Sequence, residues 1–130
     1  MYMMQSVQSV IRVPSYDQAL VDKAVERHFS ALSIAKDLHS DMKVLIKPNL
    51  IMASRPDHAV ITHPAIISAV AKWLHAHGIK NIVVADSPGG TYSVAPLKLV
   101  YSGCGLKTAL PECARLNEDS GWQPRTSPPG

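Results

Sequence analysis

Lys80-Asn-Ile-Val-Val-Ala-Asp86-Ser-Pro-Gly-Gly90 is a short apolar run that ends in acid, hydroxyl, proline and two glycines. Ile82, Val83, Val84 and Ala85 form a continuous aliphatic block, the pattern of a strand covered on both faces in the parallel sheet of an α/β protein. Asp86 falls where that strand ends. Ligands of open parallel sheets bind outside the carboxyl ends of the strands, so polar residues clustered there carry functional weight. Ser87, Gly89, Gly90 and Thr91 offer small side chains and approachable backbone N–H groups, which suit an anion. The same residues are also ordinary turn chemistry, with Asp86 as a loop or helix cap. On this stretch alone both readings stay open.

Immediately upstream, Thr62-His63-Pro64 opens the clearest helix in the chain. Proline suits the first turn, threonine or histidine supplies a cap, and Ile66, Ile67, Val70, Trp73, Leu74 and His77 mark an inner side before Gly78 stops the helix. A helix start attracts anions through its free N–H groups and dipole. His63 there can donate or accept a proton or ligate a metal, and as a lone histidine it is also a plain cap or rim residue. Further upstream, Lys43-Val-Leu-Ile-Lys-Pro-Asn-Leu50 repeats the strand-then-polar pattern. Val44, Leu45 and Ile46 read as a second buried strand. Lys47 follows them directly, Pro48 bars a helix, and Asn49 adds an amide that both donates and accepts. A lysine at the end of a buried strand needs water, an acid or an anion. Residues 52–61 read as a binding loop or flap longer than usual, with Arg55 as an anion contact or a solvated surface residue.

Toward the amino terminus, residues 7–13 alternate at period two and read as a first strand stopped by Pro14. Ser15 or Asp17 then caps an amphipathic helix with Val21, Val25, Phe29 and Leu32 on its apolar stripe and His28 at the stripe's edge. Residues 34–39 continue as a short helix or turn. On the carboxyl side, residues 94–103 read as a helix with Leu97, Val100 and Tyr101 inward. Residues 107–113 read as a short helix with Leu110 inward, bent at Pro111. From Asn117 the composition is that of a linker or tail. About three strands result, fewer than a typical sheet holds, so apolar faces or edges are left to be covered.

Composition narrows the function classes. Hydrophobic residues make up 46% and charged residues 18% of the 130 residues, the balance of a folded domain. The net charge is only +3 and the basic residues are scattered singly, which argues against nucleic acid as a partner. Residues 1–10 lack the basic start and apolar core of a signal peptide, and no apolar run approaches the ~20 residues of a membrane span. Two cysteines, Cys104 and Cys113, are too few and too far apart for a Cys-x-x-Cys metal pattern. They read as free thiols of a cytoplasmic protein.

Taken in order, Val44-Leu-Ile-Lys-Pro-Asn-Leu50, Thr62-His-Pro64, the helix to Gly78 and Ile82-Val-Val-Ala-Asp-Ser-Pro-Gly-Gly90 resemble the amino-terminal part of the bacterial and archaeal domain of unknown function family 362. Leu116-Asn-Glu-Asp-Ser-Gly-Trp122 is similar to the family as well. The resemblance spans roughly residues 7–125. It implies an α/β fold, a site location and a redox association, because many members carry a ferredoxin-type iron–sulfur domain. The family's later strands, a lysine–histidine motif and the cluster-binding cysteines have no counterpart before Gly130. The expectation is therefore a fragment, a shortened gene or a chain completed by a partner. A 4Fe-4S cluster is expected only in a longer family member, and no cofactor or metal is assigned to this chain.

The expected architecture is an α/β, three-layer, mainly parallel, Rossmann-like sheet, incomplete in this chain. Residues 1–116 form the domain, and residues 117–130 a Pro/Ser/Gly-rich tail or the start of the missing portion. Lys47, Asn49, Thr62, His63, Asp86, Ser87, Gly89 and Gly90 are the expected ligand-binding residues, and His63 and Asp86 the catalytic candidates. Function is expected to be that of the amino-terminal portion of an iron–sulfur-associated redox protein with an anion-binding crevice. The alternative is a non-catalytic anion-binding or assembly domain completed by a partner subunit. A metal-dependent isomerase or hydrolase acting through His63 and Asp86 ranks last, since two ligands do not make a metal site. Expected partners are a small anionic ligand and either a ferredoxin-type domain or subunit or further copies of the chain.

Overall fold

The computed structural model describes residues 6–49, 62–86, 101 and 105–117. The first helix, α1, is Gln18–Ala31. Asp17 caps it as its carboxylate accepts from the backbone N–H groups of Ala19 and Leu20 at 3.1 and 3.3 Å, satisfying donors that a helix start leaves open. A single 3-10 turn, Ile34–Asp37, follows and leads into strand β1, Lys43–Ile46. Helix α2, Pro64–Ala76, has proline in its first turn and His63 as its cap. Strand β2 is Asn81–Val84, the short helix α3 is Leu106–Ala109, and strand β3 is Ala114–Leu116.

The three strands form one parallel sheet in the order β1-β2-β3. Register brings Val44, Ile82 and Ala114 into one row and Ile46, Val84 and Leu116 into another. Successive side chains of a strand point to opposite faces, so both rows lie on the same face, and that face carries the core. Val21, Val25, Ala69, Trp73, Leu74 and Ile82 pack together there. A second cluster joins Ile67 and Val84 to Tyr101 and Leu106. Each fully buried side chain of this size contributes about 1.5–3 kcal/mol. Small side chains let α1 and α2 approach closely: Ala65, Ser68, Ala69 and Ala71 are all buried. Gln18 Nε2 reaches the Ala65 carbonyl at 2.9 Å and Lys72 pairs with Asp22 across the two helices.

Right-handed crossovers that step in one direction place their helices on one side of a sheet. The described residues fit that rule, since α2, Tyr101 and Leu106 all meet the same face. The opposite face carries the row Leu45, Val83 and Arg115, and Leu45 is 61% exposed there. The described residues thus make an α/β fold of two layers around a three-stranded parallel sheet.

Several expectations change. Residues 7–13 form no strand. Their period-two pattern is real, since Ser9, Ile11 and Val13 are half-buried and Gln8, Val10 and Arg12 exposed. The extended backbone lies against α1, however, where Ser9 Oγ sits 2.7 Å from His28 Nδ1, and joins no ladder. Period two reports alternate burial, which a strap laid on a helix produces as well as a strand. The third strand is instead β3. It follows α3, which ends before Leu110, so the helix expected to run to Cys113 is shorter. Strand β1 is half-buried on one face and exposed on the other, because the described helices pack on one face of the sheet. Leu32, placed on the stripe of α1, caps the helix at its exposed end. Asn117, the expected start of the tail, is tied to the sheet by Asn117 N–H to the Val84 carbonyl at 2.8 Å. The 52–61 loop with Arg55, and residues 94–100 and 102–103 of the expected later helix, lie outside the described residues.

Candidate functional site

Strands β1 and β2 end side by side. Ala85 N–H donates to the Ile46 carbonyl at 3.0 Å, one residue beyond the ladder, and so sets Lys47 and Asp86 beside each other. Lys47 Nζ lies 2.9 Å from Asp86 Oδ1. The pair is asymmetric, with the lysine side chain 68% exposed and the aspartate side chain 5% exposed. A carboxylate withdrawn from water needs a charged partner, and here that partner projects into solvent. The strand pattern of both segments, apolar until one final polar residue, produces this juxtaposition directly.

Asn49 and Thr62 meet across the base of the 50–61 segment. Asn49 N–H donates to Thr62 Oγ1 at 2.8 Å, and Thr62 N–H donates to the Asn49 carbonyl at 2.9 Å. This clasp brings the start of α2 to the end of β1. Thr62 therefore acts here through its hydroxyl on the backbone, while the Asn49 residue is exposed.

His63 accepts from Ala65 N–H at Nδ1, at 3.1 Å. An Nδ1 that accepts carries a lone pair, so the neutral ring has its proton on Nε2. Burial lowers the imidazole pKa below its ordinary value, which favours that neutral form. His63 is thereby a hydrogen-bond donor at Nε2 and poorly suited to take a proton. Its ring stacks on Tyr16, with centroids 3.9 Å apart and planes 3° from parallel. Pro64 has no N–H, His63 satisfies Ala65, and Ile66 N–H donates to the His63 carbonyl at 3.0 Å. The helix start has its own acceptors in place, which moves the burden of holding an anion to Lys47.

Of the expected residues, Lys47 and Asp86 are in contact, Asn49 and Thr62 are in contact, and the chain links Thr62 to His63. Ser87, Gly89 and Gly90 lie outside the described residues. Tyr16 was missed by sequence reasoning. Its signal is an aromatic residue just before the Asp17 cap, a position whose side chain commonly packs at a helix entrance. A groove of about 490 Å³ between residues 11–16, α1 and Ile66 borders this region at Tyr16 but contains none of the expected site residues.

Among the described residues no group of three or more His, Cys, Asp or Glu side chains is placed to hold a metal ion. The metal-dependent isomerase or hydrolase reading has no donor set in this part of the chain. An iron–sulfur cluster bound by four thiolates does not fit a chain with two cysteines either. Cys113 is half-buried, its thiol 3.8 Å from the Ala71 carbonyl. No helix among the described residues is long and apolar enough to cross a membrane.

Fold and site together define an α/β domain in which the carboxyl ends of two adjacent parallel strands set Lys47 and Asp86 side by side. Residues 44–124 match the family described as domain of unknown function (DUF362). That is more than half of the chain, and the protein belongs to this family. The match begins at β1 and passes β3, so it contains the Lys47–Asp86 pair and α2 but not α1. Neither a curated protein nor a solved structure matched the chain.

Proposed function

We propose that this chain is the ligand-holding part of a DUF362 protein and binds a small anion in the crevice at the strand ends. The observation that carries the reading is the ion pair between exposed Lys47 and buried Asp86. Strand ends of parallel sheets are where such ligands bind, and an ammonium held in place by a buried carboxylate is a fixed cationic anchor. Lys47 takes the anionic group, and Asn49 and the Nε2–H of His63 donate to its periphery; Ser87, Gly89 and Gly90, which follow Asp86 outside the described residues, are proposed as further ligand contacts. The redox association enters through a separate ferredoxin-type domain or subunit, which supplies the cysteines this chain lacks. The protein works in the cytoplasm. Titration of inorganic phosphate into the full chain by calorimetry tests the reading. Lys47→Met should abolish binding while the circular dichroism spectrum is retained, and unchanged binding would remove Lys47 from the site.

A second reading, an assembly domain, is favoured by Leu45, which is 61% exposed on the sheet face opposite the core. Parallel sheets are normally covered on both faces. A further layer from elsewhere in the protein, a partner subunit or another copy would complete the three-layer, Rossmann-like arrangement of which this chain holds a part. Sedimentation of wild type and Leu45→Glu checks it. Association lost in the variant supports assembly, and a wild-type monomer with strongly protected β1 amides speaks against it.

A further inference from the structure

Away from the strand ends, the amino-terminal strap and α1 gather three cations that the sequence scatters. Val10 and Arg12 face outward on the strap, while Ser9, Ile11 and Val13 turn toward α1 and are half-buried. On α1, Leu20, Lys23, Ala24 and Arg27 follow the i, i+3, i+4, i+7 spacing that shares one helix face. A hollow of about 110 Å³ lies where strap and helix meet, lined by Arg12, Lys23 and Arg27 beside Ile11 and Leu20. All three cations are exposed, and none forms an ion pair or a side-chain hydrogen bond with a described residue. The acids of α1 are engaged elsewhere or stand apart. Asp17 caps the helix, Asp22 takes Lys72 and Gln18, and Glu26 does not line the hollow. Three like charges held together with no counter-charge among the described residues repel one another, and an anion relieves that repulsion.

Apolar groups border the cations. Val10, two positions from Arg12, is 92% exposed, and Leu20 is 40% exposed. Scattered exposed aliphatics are ordinary, but two of them beside unpaired cations match a surface that enters a lipid headgroup layer, aliphatics toward the acyl boundary and cations toward the phosphates. Single-stranded nucleic acid is held by aromatic side chains that stack its bases. The hollow has none, and Tyr16 is stacked on His63.

We propose that this face docks the protein on an anionic phospholipid surface, with a lipid phosphate seated among Arg12, Lys23 and Arg27 and with Val10 and Leu20 entering the headgroup layer. The strap and α1 lie on the bilayer rather than cross it. All of these residues precede residue 44, where the family match begins, so docking is independent of the anion site at the strand ends.

Flotation of the full chain with vesicles tests this. Vesicles of equal parts phosphatidylcholine and phosphatidylglycerol should carry the protein, vesicles of phosphatidylcholine alone should not, and high salt should release it. Arg12→Gln combined with Lys23→Gln and Arg27→Gln should keep the circular dichroism spectrum and lower partition about fivefold for each cation removed. Val10→Ser combined with Leu20→Ser keeps the cations and should also lower partition severalfold. Failure to float with the anionic vesicles, equal binding to the neutral ones, or unchanged partition in the charge variant would overturn the proposal. Partition lost with the cations but untouched in the aliphatic variant would overturn it too, leaving an electrostatic face suited to an acidic protein.

Discussion

Replacing Lys47 by Met leaves the Asp86 carboxylate in its withdrawn position without its cation. Two unit charges 2.9 Å apart attract by about 1.4 kcal/mol in bulk water and about 6 kcal/mol at an effective dielectric constant of 20. Removing one partner of a buried pair costs about 3–5 kcal/mol, and exposed pairs are worth about 0–1 kcal/mol. Lys47 is 68% exposed and Asp86 5%, so the pair falls between, and the expected loss is about 1–2 kcal/mol. With urea slopes of about 2 kcal/mol/M, the midpoint of unfolding drops by about 0.5–1 M. Fluorescence of buried Trp73 reports the transition, and the variant stays folded because the loss is a fraction of ordinary domain stability. Adding Asp86→Asn to Lys47→Met removes the stranded charge and should recover part of the loss, since neutralising both partners costs less than removing one. A Lys47→Met midpoint within about 0.2 M of wild type would refute the idea that the lysine holds the carboxylate. So would a double variant whose losses simply add.

Two further outcomes follow from the same geometry. Protonation of His63 puts a proton on the nitrogen that caps α2, and burial lowers its pKa from the ordinary 6.5. A base whose pKa is depressed in the fold stabilises it above the unfolded pKa and loses that contribution as pH falls. Stability should therefore decline below pH ~6.5 and level off below the folded pKa. His63→Asn keeps a capping side chain, so it should flatten this slope, and an equal slope in the variant would assign it to another group. Gly78 ends α2 at φ +91°, where an added Cβ meets nothing within 4 Å. Gly78→Ala should cost about 1–2 kcal/mol from backbone strain alone, measured by urea unfolding. A neutral substitution would show that the turn relaxes.

The parts of this protein that were legible in the sequence are those where one residue type changes the local physics sharply. Ile82 and Val84 lie at the centre of the sheet, and the jump to Asp86 marks the strand end because a charge cannot continue a buried strand. Pro64 and Gly78 bracket α2 for reasons internal to the backbone. What was hidden depends on contacts distant in sequence. Residues 7–13 have the right period for a strand, but only the location of α1 decides that they strap a helix. Strand β3 has three residues, Ala114, Arg115 and Leu116, too few for a periodic signal, and its apolar face shows only against Ile82 and Val84. The clasp between Asn49 and Thr62 uses backbone groups, which leave no mark on composition. Tyr16 is joined to His63 by a stack across 47 positions that nothing local announces. The ends of β1 and β2 were therefore legible as polar strand ends, while the pairing of Lys47 with Asp86 and the donor character of His63 came only from the geometry.

The position of the bound anion is the most direct test. Amide chemical shifts of the full chain, followed by nuclear magnetic resonance as inorganic phosphate is added, should move together at Lys47, Asn49, Thr62, His63 and Asp86, and stay still in Lys47→Met. Saturable shifts confined instead to the groove beside α1, at Ile11, Val13, Val21 and Val25, would contradict a crevice at the strand ends.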